Sequence, residues 1–376
     1  MELVEKPNHS RDWKIAAIQK KLTAATQKIL VAKQHVVDLE EQAGRIKEDL
    51  NFLSAPIMCL PPEILIEIFL LQVLCGDRPM DGSMDDMDDM ESFCSQYPPQ
   101  FRIGAVCRTW RRIAWGTSRI WRTIAITFCS TRIETQNQLL QEWIQRSGSS
   151  LLDIYLFSED LKLAGGDPMY RVPFYQPPRE TCTAICAAKD RWRTLHSPGF
   201  IHLHDHFVAG CVPPTSLHEL CLSSPDGECY DLDNITVPWD LRGSLHLKKL
   251  DLRMINITEL KINWKTITHL NIWICFSENL HFMKELSALE SFVVTNMQLG
   301  ADEGLPFNDT GAFSTLPNLT LLSLDADCET VGCLLSYLTA PKLKDLKLSR
   351  PSIRWTQSVI QFFERSSYSL TEWNIL

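Results

Sequence analysis

Eight times after residue 150 this chain repeats one apolar spacing, and no other feature narrows its choice of folds so far. The pattern is Leu-x-x-Leu-x-Leu with conservative exchanges. It runs Leu151-x-x-Ile154-x-Leu156, Leu217-x-x-Leu220-x-Leu222, Leu247-x-x-Leu250-x-Leu252 and Ile267-x-x-Leu270-x-Ile272. It continues as Leu289-x-x-Phe292-x-Val294, Leu319-x-x-Leu322-x-Leu324, Leu343-x-x-Leu346-x-Leu348 and Leu370-x-x-Trp373-x-Ile375. In an extended strand, residues two apart share a face, so the last two apolar positions of each copy point the same way. The first position anchors the turn into the strand. One such unit cannot bury its own apolar face, so consecutive units are expected to stack into one core. From Leu217 onward the copies recur at intervals of roughly 20 to 30 residues, the range of a repeat architecture. The intervening strand residues Asp251, Asn271, Ser323 and Lys347 would then line a solvent-facing, concave surface. The same leucines would also suit an α/β domain with unrelated strands.

The first 55 residues have a different period. Apolar residues alternate at steps of three and four: Ile15, Ile18, Leu22, Ala25, Ile29, Ala32, Val36, Leu39, Ala43, Ile46, Leu50 and Leu53. A mean period of 3.5 predicts a left-handed coiled coil over 11–54, about 60 Å long at 1.5 Å per residue. Isolated helices draw most of their stability from packing, so this one needs another helix. β-Branched Ile15, Ile29 and Val36 at the first seam position lean toward a parallel two-stranded homodimer through residues 15–53. A helix folded back on the body, weakened by three seam alanines and Gly44, is the other reading. Pro56 ends the helix, and residues 1–10 read as a disordered tail.

Between these regions lies a short module. Leu60-Pro61-Pro62-Glu63 suits a helix start, because a first-turn proline forfeits no hydrogen bond and Glu63 meets the positive helix end. Ile64, Leu65, Ile68 and Phe69 follow at helical spacing. Downstream come Val106-Cys107-Arg108-Thr109-Trp110-Arg111 and then Ile120-Trp121. Two separated halves in this order resemble the F-box, and more narrowly the F-box-like segments of fungal proteins. The resemblance covers residues 55–126. It is interrupted at about 76–99, where Asp85-Asp86-Met87-Asp88-Asp89-Met90-Glu91 reads as a solvated loop of repelling charges. The repeat pattern in turn is similar to the leucine-rich repeats that follow many F-box segments, although no consistent asparagine follows each strand. The resemblance implies docking on a Skp-family adaptor, and through it on a cullin. The docking residues would be Leu60, Pro61, Pro62, Ile64, Leu65, Ile68, Phe69, Val106, Trp110 and Trp121. The repeats would bind a protein substrate.

Composition excludes several classes. Net charge is −9 with no basic block, which argues against nucleic acid. No apolar run of membrane-spanning length occurs. The N-terminus lacks a basic-then-apolar signal sequence, so the thirteen cysteines are expected to be reduced and the protein cytoplasmic or nuclear. Cys182 and Cys186 read as buried thiols one helical turn apart. His202-x-His204-Asp205-His206, with Cys211 nearby, would place imidazoles on one face of a strand. That leaves a metal-dependent hydrolase as a remote alternative. No phosphate-cradling loop, dinucleotide loop, nucleophile elbow or calcium loop appears. No cofactor is expected.

The expectation is therefore a multidomain α and α/β protein: a long N-terminal helix, a small F-box-like helical module and an irregular leucine-rich-repeat solenoid over 127–376. Within it, Leu139, Leu140, Trp143 and Ile144 mark a helix stopped by Gly148. Residues 158–214 read as an irregular stretch, with a helix at Thr181–Lys189 and a strand starting at Trp192. The resemblance implies a non-catalytic ubiquitin-ligase substrate adaptor; the alternative expectation is an interaction scaffold outside any ligase.

Overall fold

The computed structural model describes residues 9–76, 98–128, 132–158, 179–198, 213–223, 239–253, 260–276, 282–298, 314–326, 328–348 and 356–366. The protein is mixed α/β. One helix, α1 (His9–Ser54), runs without interruption through the whole heptad region, starting two residues earlier than the pattern indicated and ending just before Pro56. Among the described residues seven further α-helices follow. They are α2 (Pro62–Gly76), α3 (Pro99–Val106), α4 (Arg108–Gly116), α5 (Ile133–Arg146), α6 (Arg179–Cys186), α7 (Cys328–Tyr337) and α8 (Thr356–Arg365). The acidic run Asp85–Glu91 lies outside the described residues.

The body is a nine-stranded sheet, parallel throughout. Its strands are β1 (Thr123–Phe128), β2 (Leu152–Ser158), β3 (Trp192–Pro198), β4 (Glu219–Ser223), β6 (Lys249–Arg253), β8 (His269–Phe276), β9 (Ser291–Gln298), β11 (Leu321–Ala326) and β13 (Asp345–Leu348). Their spatial order is their order along the chain. Four two-residue strands interleave: β5 (Trp239–Asp240) pairs with β7 (Leu260–Lys261), and β10 (Ser314–Thr315) with β12 (Leu338–Thr339). Both of these small ladders are parallel, and each links segments that precede neighbouring strands of the large sheet.

The register aligns the leucine pattern across the sheet. Leu195, Leu220, Leu250, Leu270, Phe292, Leu322 and Leu346 form one continuous row of Cα partners. Leu222, Leu252, Ile272, Val294 and Leu324 form the next inward row, and both rows are buried. The anchoring positions Leu217, Leu247, Ile267, Leu289, Leu319 and Leu343 are all completely buried. A backbone line joins the residues just before the strands: Lys248 N–H donates to His218 O, Thr268 to Lys248, Glu290 to Thr268, Thr320 to Glu290 and Lys344 to Thr320, at 2.8–2.9 Å. The same position therefore performs the same bonding in six successive turns of chain. One copy differs from expectation, and one is not described. In the first, Leu151 is exposed and Leu152 takes the buried place. The last, Leu370-x-x-Trp373-x-Ile375, lies outside the described residues.

The irregular stretch contains α6 and β3, close to the helix and strand expected there. Helix α5 buries Leu140 and Trp143 fully and Leu139 and Ile144 partly. It ends at Gly148 with φ +56°, a conformation that favours glycine. Arg191 completes that terminus by donating to Ser150 O at 3.2 Å, to Gly148 O and to Ser147 Oγ at 2.9 Å. At the other end of the sheet α7 and α8 pack together, with Phe362 and Phe363 buried and Arg365 donating to Leu335 O at 2.6 Å. No helix among the described residues is long and apolar enough to cross a membrane.

Candidate functional site

The module between α1 and the sheet starts with a 3-10 turn at Pro56–Cys59. Pro61 O then accepts from Ile64 N at 3.0 Å and Leu65 N at 3.2 Å, which starts α2 on Pro62 and Glu63 as the sequence indicates. Helix α2 is apolar on two sides. Leu65, Phe69 and Val73, one turn apart, are buried together with Leu70. Ile64, Ile68 and Leu71 are 48%, 37% and 61% exposed. At 100° per residue these three fall within about 60° of arc, so they form a single stripe on the side opposite the buried face. Glu63 and Glu67 border it, and Glu67 meets Arg119 at 3.2 Å.

What holds α2 in place is an unusually aromatic core. Phe69 packs on Trp110 with centroids 4.8 Å apart. Cys107 caps α4, its sulfur accepting from Trp110 N at 3.4 Å. Trp121 is fully buried and donates through Nε1 to Ala114 O at 2.8 Å. Gln100, also buried, donates to Ile120 O and Thr123 O. Gly104 has no side chain for a steric reason: an added Cβ would lie 2.1 Å from the Trp115 ring. Phe101, Trp115, Trp121 and Trp143 meet edge-to-face at 5.0–6.2 Å, the arrangement ring quadrupoles favour. Arg146 lies 4.9 Å and 5.1 Å from two of those ring centroids. Trp143 and Arg146 belong to α5, and Trp121 leads directly into β1. The module and the sheet therefore share one core.

The ten residues expected to dock a partner divide into three groups. Pro61, Pro62, Ile64, Ile68 and Val106 are exposed; Leu60 and Trp110 are half-buried against the core. Leu65, Phe69 and Trp121 face the module's own interior, each at 2% exposure or less. Their side chains are covered by this chain's own residues, whereas the expectation had placed them among the docking residues. The reason is geometric, since apolar spacing alone does not say which of two apolar sides looks inward. Leu71 and Ile57, which are not among the ten, are also exposed beside the same segment. Leu71 follows Ile64 by seven residues, a signal already present in the heptad arithmetic.

The polar side of the sheet is less open than expected. Asp251 is bound by Arg253 at 3.0 Å, Asn271 Oδ1 is buried without a hydrogen-bond partner among the described residues, and of the four expected residues only Lys347 is exposed and the others are half-buried. Arg193 clamps Asp153 through two bonds, one of them Nε to Oδ1 at 2.7 Å, and this hydrogen bond raises the guanidinium pKa. His196 has its ring 5.5 Å from that of Phe157 and is followed in its register row by Cys221 and Asp251, the latter bound by Arg253. Burial, aided by the Arg253 charge, pushes the imidazole down to about 4. Burial also raises Cys221 well above the usual thiol range. Cys182 and Cys186 are buried as expected. His202, His204, His206 and Cys211 lie outside the described residues. Among the described residues no group of three His, Cys, Asp or Glu side chains could hold a metal ion.

Residues 57–127 match the family model described as F-box-like. The matched span begins in the 3-10 turn and ends in β1, so it coincides with the module built around α2, Trp110 and Trp121. The chain thus carries an F-box-like domain, a class of interaction module that generally binds Skp-type adaptors and is typically non-catalytic. A comparison with curated proteins finds no match.

Proposed function

We propose that this protein is a substrate-recognition adaptor of a Skp–cullin–F-box ubiquitin ligase, of the fungal F-box-like type. The observation that carries the proposal is the stripe Ile64, Ile68 and Leu71, left open on a helix whose opposite side is already sealed. Contiguous apolar surface of this kind marks an interaction site. A Skp-family adaptor would cover it together with Pro61, Pro62 and Val106, while Leu65, Phe69, Trp110 and Trp121 hold it in shape. The cullin would join through the adaptor.

The sheet is proposed to be a leucine-rich-repeat solenoid. Its support is the aligned leucine rows and the backbone line from His218 to Lys344. Its polar side would carry a protein substrate. The shared aromatic core fixes that side relative to the α2 stripe, so bound substrate is held at a set distance from the transfer machinery. This raises effective concentration without chemistry in this chain. Such work belongs in the cytoplasm or nucleus. Helix α1 is proposed to self-associate through residues 15–53 as a coiled coil.

A second reading is a scaffold outside any ligase, favoured by the burial of Leu65, Phe69 and Trp121. Co-expression with a Skp-family adaptor separates the two. A stable complex that survives gel filtration supports the ligase reading; clean separation of the two proteins leaves the scaffold.

A further inference from the structure

We infer that α1 pairs with α1 of a second copy of this chain in antiparallel orientation, with Ile15 of one opposite Leu53 of the other. This rests on the self-association proposed above and gives it a direction.

The apolar seam of α1 is open along its length; Ile15, Leu22, Ile29, Val36, Leu39 and Leu50 are all exposed. Among the described residues the body of its own chain does not compete for it. The body touches α1 at Gly44 and Glu48, where Glu48 accepts from Arg108 N and pairs with the Arg108 guanidinium at 3.3 Å. Counting from seam residue Ala43, these are the second and sixth heptad positions, about 150° from the seam. The module therefore sits on the back of the helix.

Charge says what covers the front. Residues 13–33 carry Lys14, Lys20, Lys21, Lys28 and Lys33 and no carboxylate. Residues 34–54 carry Asp38, Glu40, Glu41, Glu48 and Asp49 against Arg45 and Lys47. A parallel pair in register lays lysines on lysines and brings Lys28 against Lys33 of its partner twice. An antiparallel pair lays the basic half on the acidic half and brings Lys21 beside Asp49 twice. Its one like-charge meeting is Lys33 with its symmetry mate at the centre.

Packing agrees. In parallel register Ala25, Ala32 and Ala43 each face themselves, giving three thin layers. In antiparallel register Ala32 faces Val36, Ile29 faces Leu39 and Leu22 faces Ile46, so the thin layers fall from three to the two in which Ala25 faces Ala43, and every one of the twelve seam residues finds a seam partner. These terms oppose the mild parallel preference of the β-branched positions. The result places the two F-box-like modules about 36 Å apart along the rod instead of side by side.

The test uses the full chain. Sedimentation at high micromolar concentration should give a dimer. A donor–acceptor fluorophore pair introduced at Trp13 in mixed dimers should show weak energy transfer, since antiparallel packing separates those positions by roughly 60 Å. Lys21→Glu and Asp49→Lys should each weaken the dimer about threefold or more, and the two together should restore it. Strong transfer between the Trp13 labels, or no rescue in the double variant, overturns the orientation. A monomer at all concentrations overturns self-association itself. Neither outcome bears on adaptor binding, which a different surface performs.

Discussion

Helices α1 and α2 both carry apolar residues on solvent-facing surface, yet they do so for opposite structural reasons. Helix α2 has two apolar sides and commits one to the core: Leu65, Phe69, Leu70 and Val73 are buried, and Ile64, Ile68 and Leu71 are what remains. Helix α1 has one apolar seam and commits none of it; its attachment to the body is polar, through Glu48 and Arg108. The difference teaches that an exposed apolar stripe gains meaning from its mounting. A stripe on a helix anchored by Phe69 and Trp110 is a fixed surface. A seam on a helix held only near its C-terminal end orders fully when another helix covers it.

The comparison breaks most visibly on Phe69→Ala. Truncating a fully buried aromatic costs about 3–5 kcal/mol, so thermal unfolding should shift down by many degrees, and adaptor binding should fall with it. Ile29→Asp, on the α1 seam, should leave the melting of the body within about 0.5 kcal/mol of the parent while abolishing self-association in sedimentation. Equal destabilisation by the two would erase the distinction between the helices.

The next largest effect lies on the sheet. His196 is held near pKa 4 against 6.5 for the unfolded chain. Between those values the unfolded chain binds a proton that the folded one excludes, so stability falls as pH drops through that window and is unaffected above it. The full difference is on the order of 3 kcal/mol. Denaturant titrations at pH 7 and pH 4.5 should show this, and His196→Gln should lose that part of the slope. An unchanged slope would mean the site is more open to water than its burial indicates.

The smallest effect concerns the α1 mounting. Glu48→Gln removes a partly exposed pair worth at most about 1 kcal/mol. Body stability should barely move, whereas proteolysis in the segment around Pro56 should speed up. Unchanged cleavage would show that other contacts position α1.

How much of this was legible in the sequence follows the same division. The strand rows were readable because their period of two is set by the backbone, and each leucine triplet carries its own anchor. The module was readable because two motif halves occur in order. Which side of α2 faces inward was not readable, because Leu65 and Ile68 are equally apolar and only Trp110, some forty residues away, selects between them. The buried place of Leu152 in preference to Leu151 was hidden for a similar reason: β2 takes its register from β1, through Asp153 opposite Thr123. The closed polar side of the sheet was missed because Asp251–Arg253 and Asp153–Arg193 are pairings between neighbouring side chains, which an apolar pattern does not encode.

The central claim is that the open side of α2, and not its buried side, binds the adaptor. It is tested most directly by calorimetric titration of a purified Skp-family adaptor into the parent chain and into Ile64→Asp/Ile68→Asp. The account predicts saturable binding by the parent, at least about tenfold weaker binding by the variant and an unchanged melting temperature. Equal affinity for both chains, or no binding to the parent, would contradict it.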